Sequence, residues 1–178
     1  MSTEVKISEH EGILLSLVLR QQPVTAYQLF RMFEQSPTTS INASKGQVYP
    51  AIRRLRERRF LDARKVAGDG RKSEELSVTA AGREAIRAWT RNIEPVHIVL
   101  DDPLRTRILS FDVLSREEQL IWIARAKELV KQRRILVDEY NASVVVPYQD
   151  FAYSSVMETL RLKMEWLDEL LFHVASSD

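Results

Sequence analysis

The stretch Ser44–Phe60, SKGQVYPAIRRLRERRF, narrows what this chain can be more than any other. Ser44 followed three residues on by Gln47 is a capping box, which predicts a helix start. Val48, Ile52 and Leu55 recur at helical spacing and give that helix one apolar face. Gly46, Pro50, Arg53, Arg54 and Glu57 point the other way. The ring of Pro50 presses on the carbonyl four residues back, and that residue is Gly46, which adds no side chain to the crowding. The exposed first turn is therefore small, with Lys45, Gln47 and Tyr49 at its edges and arginines beyond. Such a helix suits the DNA major groove, where recognition helices set their first turns against base edges. A solvated basic helix on any small domain would carry the same residues.

The distribution of charge favours the first reading. Residues 1–92 carry a net +6 and residues 93–178 a net −5, and residues 45–72 alone hold +7. A basic block on a chain of net charge +1 is the footprint of a polyanionic partner. The 178 residues leave room for one domain or two small ones. There is no cysteine, which excludes disulfides and thiolate zinc sites and fits a reducing cytoplasm. His10, His97 and His173 have no ligand spacing, so no metal or cofactor is expected. No apolar run reaches the roughly 18 residues of a membrane helix, and Met1–Gly12 is too polar for a secretion signal. A soluble cytoplasmic protein with no membrane partner is expected.

Taken in order, Glu11–Arg20 reads as a first helix with Ile13, Leu14, Leu17 and Val18 on one face. Thr25 caps a second helix bearing Tyr27, Phe30, Met32 and Phe33. Gln35–Asn42 reads as a loop, and the third helix runs from Ser44 to about Arg59. Gly68-Asp69-Gly70 is a turn between strand-like runs Leu61–Val66 and Arg71–Val78. It lacks the apolar strand and following helix that a phosphate-binding glycine loop needs. A basic hairpin after a basic helix is the order of a winged helix. Thr79 caps a fourth helix through Trp89 and Asn92. A boundary falls at 93–102, between a first domain at 1–92 and a second at 103–178.

The second domain reads as a short helix, Pro103–Leu114, and a long one, Arg116–Tyr140, opened by the Ser115/Glu118 capping box. After a connection at Val144–Gln149, a last helix runs from about Asp150 to Val174. On that helix Met157, Leu160, Met164, Leu167, Leu171 and Val174 alternate three and four apart, a heptad row. Leu162, Trp166 and Leu170 form a second apolar row. One row can face the long helix and the other needs a partner; the heptad row is taken as the homodimer interface.

With those residues in hand, the chain resembles the PadR family of transcriptional regulators. The resemblance is carried by GILLSLVL from Gly12, AYQLF from Ala26, GQVYPAIRRL from Gly46 and GRKSEELSVTAAG from Gly70. DDPLRTRILSF and MEWLDELL extend it more loosely, toward the virulence-activator-like branch with its longer C-terminal domain. It implies a mainly α protein. An N-terminal winged helix-turn-helix, three helices plus a β-hairpin wing, is joined to a C-terminal antiparallel helical dimerisation domain. It also implies binding to an inverted-repeat operator, usually as a repressor. Tyr27, and Ser44, Lys45, Gln47 and Tyr49 in the first turn of the third helix, are then the residues that approach DNA. Three positions depart from the family pattern: Ala26 and Phe60 stand where glycines are usual, and Glu75 where an aromatic is common.

The function expected is a dimeric regulator of transcription on double-stranded DNA. Arg53, Arg54, Arg58, Arg71 and Lys72 would meet phosphates, which give affinity without sequence information. Lys45, Gln47 and Ser44 are the candidates for base edges. Trp122, Tyr140, Tyr148, Phe151, Tyr153 and Trp166 are candidates to line a pocket for a small aromatic effector. A rival reading is a winged-helix protein-binding adaptor without sequence-specific DNA binding. An enzyme is disfavoured, because no nucleophile has an adjacent base and Asp101 and Asp102 lie in the linker.

Overall fold

The computed structural model describes residues 6–37, 45–65, 73–98 and 101–176, with Lys45 described in its backbone alone. It divides into two compact units, residues 1–98 and 99–178.

In the first unit, helix α1 (Glu9–Gln21) begins two residues earlier than its apolar pattern suggests, because Ser8 and Glu11 form a capping box. Its buried face is Glu11, Gly12, Leu14, Leu15 and Val18; Ile13 and Leu17 are only partly buried. Strand β1 (Val24–Thr25) was not visible in the sequence, since two residues are too few to show a period. Thr25 then caps α2 (Ala26–Gln35) in a box with Gln28. Helix α3 (Lys45–Glu57) contains Pro50 and buries Val48, Ala51, Ile52 and Leu55. Strands β2 (Leu61–Lys65) and β3 (Glu74–Val78) pair antiparallel, from Leu61 opposite Val78 to Lys65 opposite Glu74. Strand β1 joins the other edge of β3, Val24 opposite Leu76. Thr79 caps α4 (Ala80–Arg91), and a single 3-10 turn follows at Pro95–His97. The glycine turn at 68–70, Ser44, Arg71 and Lys72 lie outside the described residues.

The end of α3 explains Phe60. Phe60 N–H donates to the Leu55 carbonyl (2.9 Å) and Arg59 N–H to that of Arg56 (2.8 Å). This is a Schellman motif. Its left-handed position is Arg59, at φ 58°, rather than a glycine. Phe60 then drops into the core. Gly82 is pinned beside it: a Cβ there would lie 2.3 Å from the Phe60 carbonyl oxygen. One continuous core joins α1, α2, α3, the sheet and α4. Each fully buried leucine in it stabilises the fold by about 1.5–3 kcal/mol.

In the second unit, Asp102 caps α5 (Pro103–Ile108) by accepting from Leu104 N–H (3.0 Å), and pairs with Lys163 (2.6 Å). The expected helix through Leu114 instead breaks into a 3-10 turn at Phe111–Val113. Helices α6 (Arg116–Ser143) and α7 (Gln149–Ser176) form an antiparallel hairpin. Arg116 at one end bonds the Ala175 carbonyl, and Gln149 at the other bonds that of Asn141.

The heptad row of α7 corrects its expected role. Leu167 is fully buried within the chain, packed with Ala126 and Val130 of α6, and Val174 is also buried. Leu160 and Met164 pack on that same cluster, and Met157 and Leu171 are partly buried. The row therefore serves the intramolecular hairpin, where seven-residue spacing suits two antiparallel helices as well as it suits a dimer. The outward side carries Phe151, Leu162 and Phe172 on α7, with Ile121, Leu129, Ile135 and Leu136 on α6.

Candidate nucleic-acid interface

Successive residues turn about 100° round a helix, so the apolar face of α3 leaves two basic flanks. Tyr49, Arg53 and Arg56 lie on one flank. Gln47, Arg54 and Arg58 lie on the other.

The first flank meets α2 and the wing. Tyr49, Ile52, Arg53 and Arg56 line an open concavity of about 660 Å³ with Thr25, Ala26 and Tyr27 on one side and Ser73, Glu74 and Leu76 on the other. Both tyrosines are exposed at it. Tyr27 is held there because the Thr25–Gln28 box fixes the first turn of α2. Arg56 donates to Glu74 (2.7 Å), tying the helix to the wing strand. Further along the wing, Glu75 lies opposite Arg64 in the strand register, so the position where an aromatic is common carries an acidic residue across from a basic one. Arg56 was not among the sequence candidates. The spacing that places Tyr49 and Arg53 together would have included it.

The second flank is occupied. Glu11 is only 6% exposed. Its carboxylate accepts from Arg54 Nε (3.2 Å), from Arg58 (3.4 Å) and from Ser8 N–H (3.1 Å). Arg58 also donates to the Lys6 carbonyl (2.8 Å) and lies over the Phe60 ring, 4.7 Å from its centroid. Burial pushes the Glu11 carboxyl up, but the Ser8 amide and the two guanidiniums outweigh burial and hold it below the usual glutamate range. Beside it, burial lowers the His10 imidazole, and Arg54 lowers it further against the opposing charge of Glu11. Arg54 and Arg58 were expected at phosphates; the structure gives each an intramolecular partner instead. The signal was present in the sequence. Glu11, Leu14, Leu15 and Val18 are spaced as one helical face, which puts a carboxylate on the apolar side of α1.

Gln47 is exposed in the first turn of α3, and the backbone of Lys45 precedes it. Ser44, Arg71 and Lys72 lie outside the described residues.

The six aromatics proposed for an effector pocket are not brought together. Trp122 and Trp166 pack on the α6–α7 core, and Trp122 meets Phe111 edge-to-face at 5.0 Å. Tyr140 lies 18 residues beyond Trp122 on α6, about 27 Å away at a rise of 1.5 Å per residue. Tyr153 bonds Asp138, and Tyr148 and Phe151 are exposed at the turn between the long helices. The correction follows from helix length: residues grouped by type can still sit at opposite ends of a long hairpin. Among the described residues no cluster of histidine and carboxylates could hold a metal, and no helix is long and apolar enough to cross a membrane.

Comparison with known proteins agrees with this architecture. Bacillus subtilis PadR in complex with operator DNA superposes with a TM-score of 0.76 and 16% identity, over 93% of this chain and 98% of that one. The same protein in complex with p-coumaric acid gives 0.75 and 16%, over 93% and 98%. The PadR-like transcriptional regulator BC1756 from Bacillus cereus gives 0.75 and 16%, over 98% and 99%. No curated protein matches. Residues 14–88 match the transcriptional regulator PadR-like family, whose members are transcription regulators and not enzymes. The chain thus has the winged-helix fold of these PadR structures, with a C-terminal helical region, and over residues 14–88 it is similar to the PadR-like transcriptional regulator family.

Proposed function

We propose that this protein is a repressor that binds an inverted-repeat operator as a homodimer, with residues 1–92 on DNA and residues 103–178 joining the subunits. One observation carries the reading: Tyr27, Tyr49, Arg53 and Arg56 surround a single concavity between α2, α3 and the wing strand. Arg53 and Arg56 supply phosphate contacts there, joined by Arg71 and Lys72 from the wing. Lys45, Gln47 and Ser44, at the start of α3, supply base contacts. The outward apolar side chains of α6 and α7 support self-association, with Leu162 near the centre of the α7 face. The likeness to a protein solved with p-coumaric acid makes that acid the first effector to test.

The test is selection of bound duplexes from a random pool. An inverted repeat is expected, with Gln47→Ala relaxing one operator position by about 1–3 kcal/mol. Affinity for the selected site should fall roughly 10³–10⁵-fold from about 50 to 200 mM salt if ~6–10 phosphates are neutralised. Recovery of no enriched sequence, with binding indifferent to salt, would overturn the proposal.

A further inference from the structure

We propose that Glu11 is a specificity-determining residue: it withholds Arg54 and Arg58 from DNA, so that the body of α3 reaches phosphates by Arg53 and Arg56 while its first turn, with Gln47, is left to the bases. This rests on the DNA-binding reading above and adds a division of labour within the recognition helix.

The two arginine pairs point apart. On a helical projection, the centre of Arg53 and Arg56 lies about 150° from that of Arg54 and Arg58. Arg54 and Arg58, one turn apart, converge on a single carboxylate from α1. That carboxylate is buried, so a phosphate drawing both guanidiniums away would leave it dehydrated and uncompensated. Arg58 has two further contacts to surrender, the Lys6 carbonyl and the face of Phe60. Yet Arg54 and Arg58 remain 51% and 37% exposed, close enough to solvent to reach a polyanion if the carboxylate lost its charge. Among the described residues Arg53 has only a long pairing with Glu57 (3.8 Å), with both side chains largely exposed, and on this reading it is an arginine available to DNA.

The consequence concerns discrimination. Phosphate contacts raise affinity for every sequence alike. Two more arginines per subunit would strengthen non-specific binding and leave base readout unchanged. Glu11 therefore lowers the background against which the operator is distinguished.

The experiment uses the full chain, the selected duplex and a scrambled duplex of the same length, with affinities measured across a salt series. Glu11→Gln keeps the shape but removes the charge. Tighter binding to the scrambled duplex is expected, with log affinity steepening against log salt by about 0.9 for each arginine recruited. The ratio of operator to scrambled affinity should fall. A merely structural role would weaken both duplexes without steepening the slope, and that result overturns the inference. Arg58→Gln is the second variant, because Arg54 still pairs Glu11 and keeps the fold. Its salt slope should equal that of the unaltered protein; a slope shallower by about 0.9 per subunit makes Arg58 a phosphate contact and overturns the inference. Both results leave the DNA reading standing. Failure of the unaltered protein to bind either duplex removes that reading and this inference together.

Discussion

The two units treat their apolar side chains differently. In residues 1–98, five elements bury one continuous core, and Leu14, Leu15, Leu29, Leu55 and Leu76 are almost wholly removed from water. In residues 99–178, the cluster at the centre of the helical hairpin is Ala126, Val130 and Leu167, while Ile121, Ile135, Leu136, Leu162 and Phe172 stay exposed. In a two-helix hairpin each helix turns only part of its surface to the other, so apolar side chains on the far side stay exposed. The first unit is built to fold on its own core. The second leaves apolar side chains outward, and these are what the proposed homodimer would cover.

Substitutions can break this contrast from either side. The largest effect is expected from Leu167→Glu, which places an unpaired charge at the one fully buried leucine of the hairpin, at a cost of about 3–5 kcal/mol. Amide exchange should then lose protection across α6 and α7 while α1, α3 and α4 keep theirs. Equal loss in both units would show that the first does not stand alone. Gly82→Ala tests the opposite side. Its methyl group would meet the Phe60 carbonyl oxygen at 2.3 Å, and backbone cannot step aside as a side chain can. Overpacking of this kind costs about 1–3 kcal/mol, visible as a lower melting temperature for the first unit only.

Acid provides a graded version of the same test. Glu11 is held below its ordinary range, so its stabilising contribution is fully present above the unfolded value of about 4.3 and is lost as pH falls through the folded value. Denaturant melts of the first unit should weaken on acidification below about 4.3, and Glu11→Gln should flatten that dependence. Arg59→Gly should act in the stabilising direction, by about 1 kcal/mol, because it relieves a left-handed backbone at φ 58°. Leu162→Glu should change folding least, within about 0.5 kcal/mol, since the side chain is exposed. Sedimentation should nevertheless show dissociation if α7 uses this face between subunits. A folded variant that remains a dimer would move the interface elsewhere.

Much of the fold was legible because its signals are local. Thr25, Thr79 and Ser115 cap helices where their side chains are followed by free backbone donors, and each cap stands as read. The basic body of α3, its apolar face at Val48, Ile52 and Leu55, and the antiparallel strands after it need only spacing to be recognised. The site was legible in part: Tyr27 and Tyr49 do meet at one concavity with Arg53. The carboxylate partner of Arg54 and Arg58 was not anticipated, because a run of arginines gives charge but not direction.

What the sequence determined by itself, then, is which segments are helix or strand, where they begin, and that one of them is strongly basic. Those properties depend on residues within a turn or two of each other. Tertiary structure decided which arginines are occupied, which apolar row of α7 faces inward, and whether aromatics of one composition share a site. Glu11 lies 43 residues from Arg54, and Leu167 lies 41 residues from Ala126. Such pairings come from packing whole elements together, where burying one carboxylate or one leucine selects between faces that local spacing leaves equivalent.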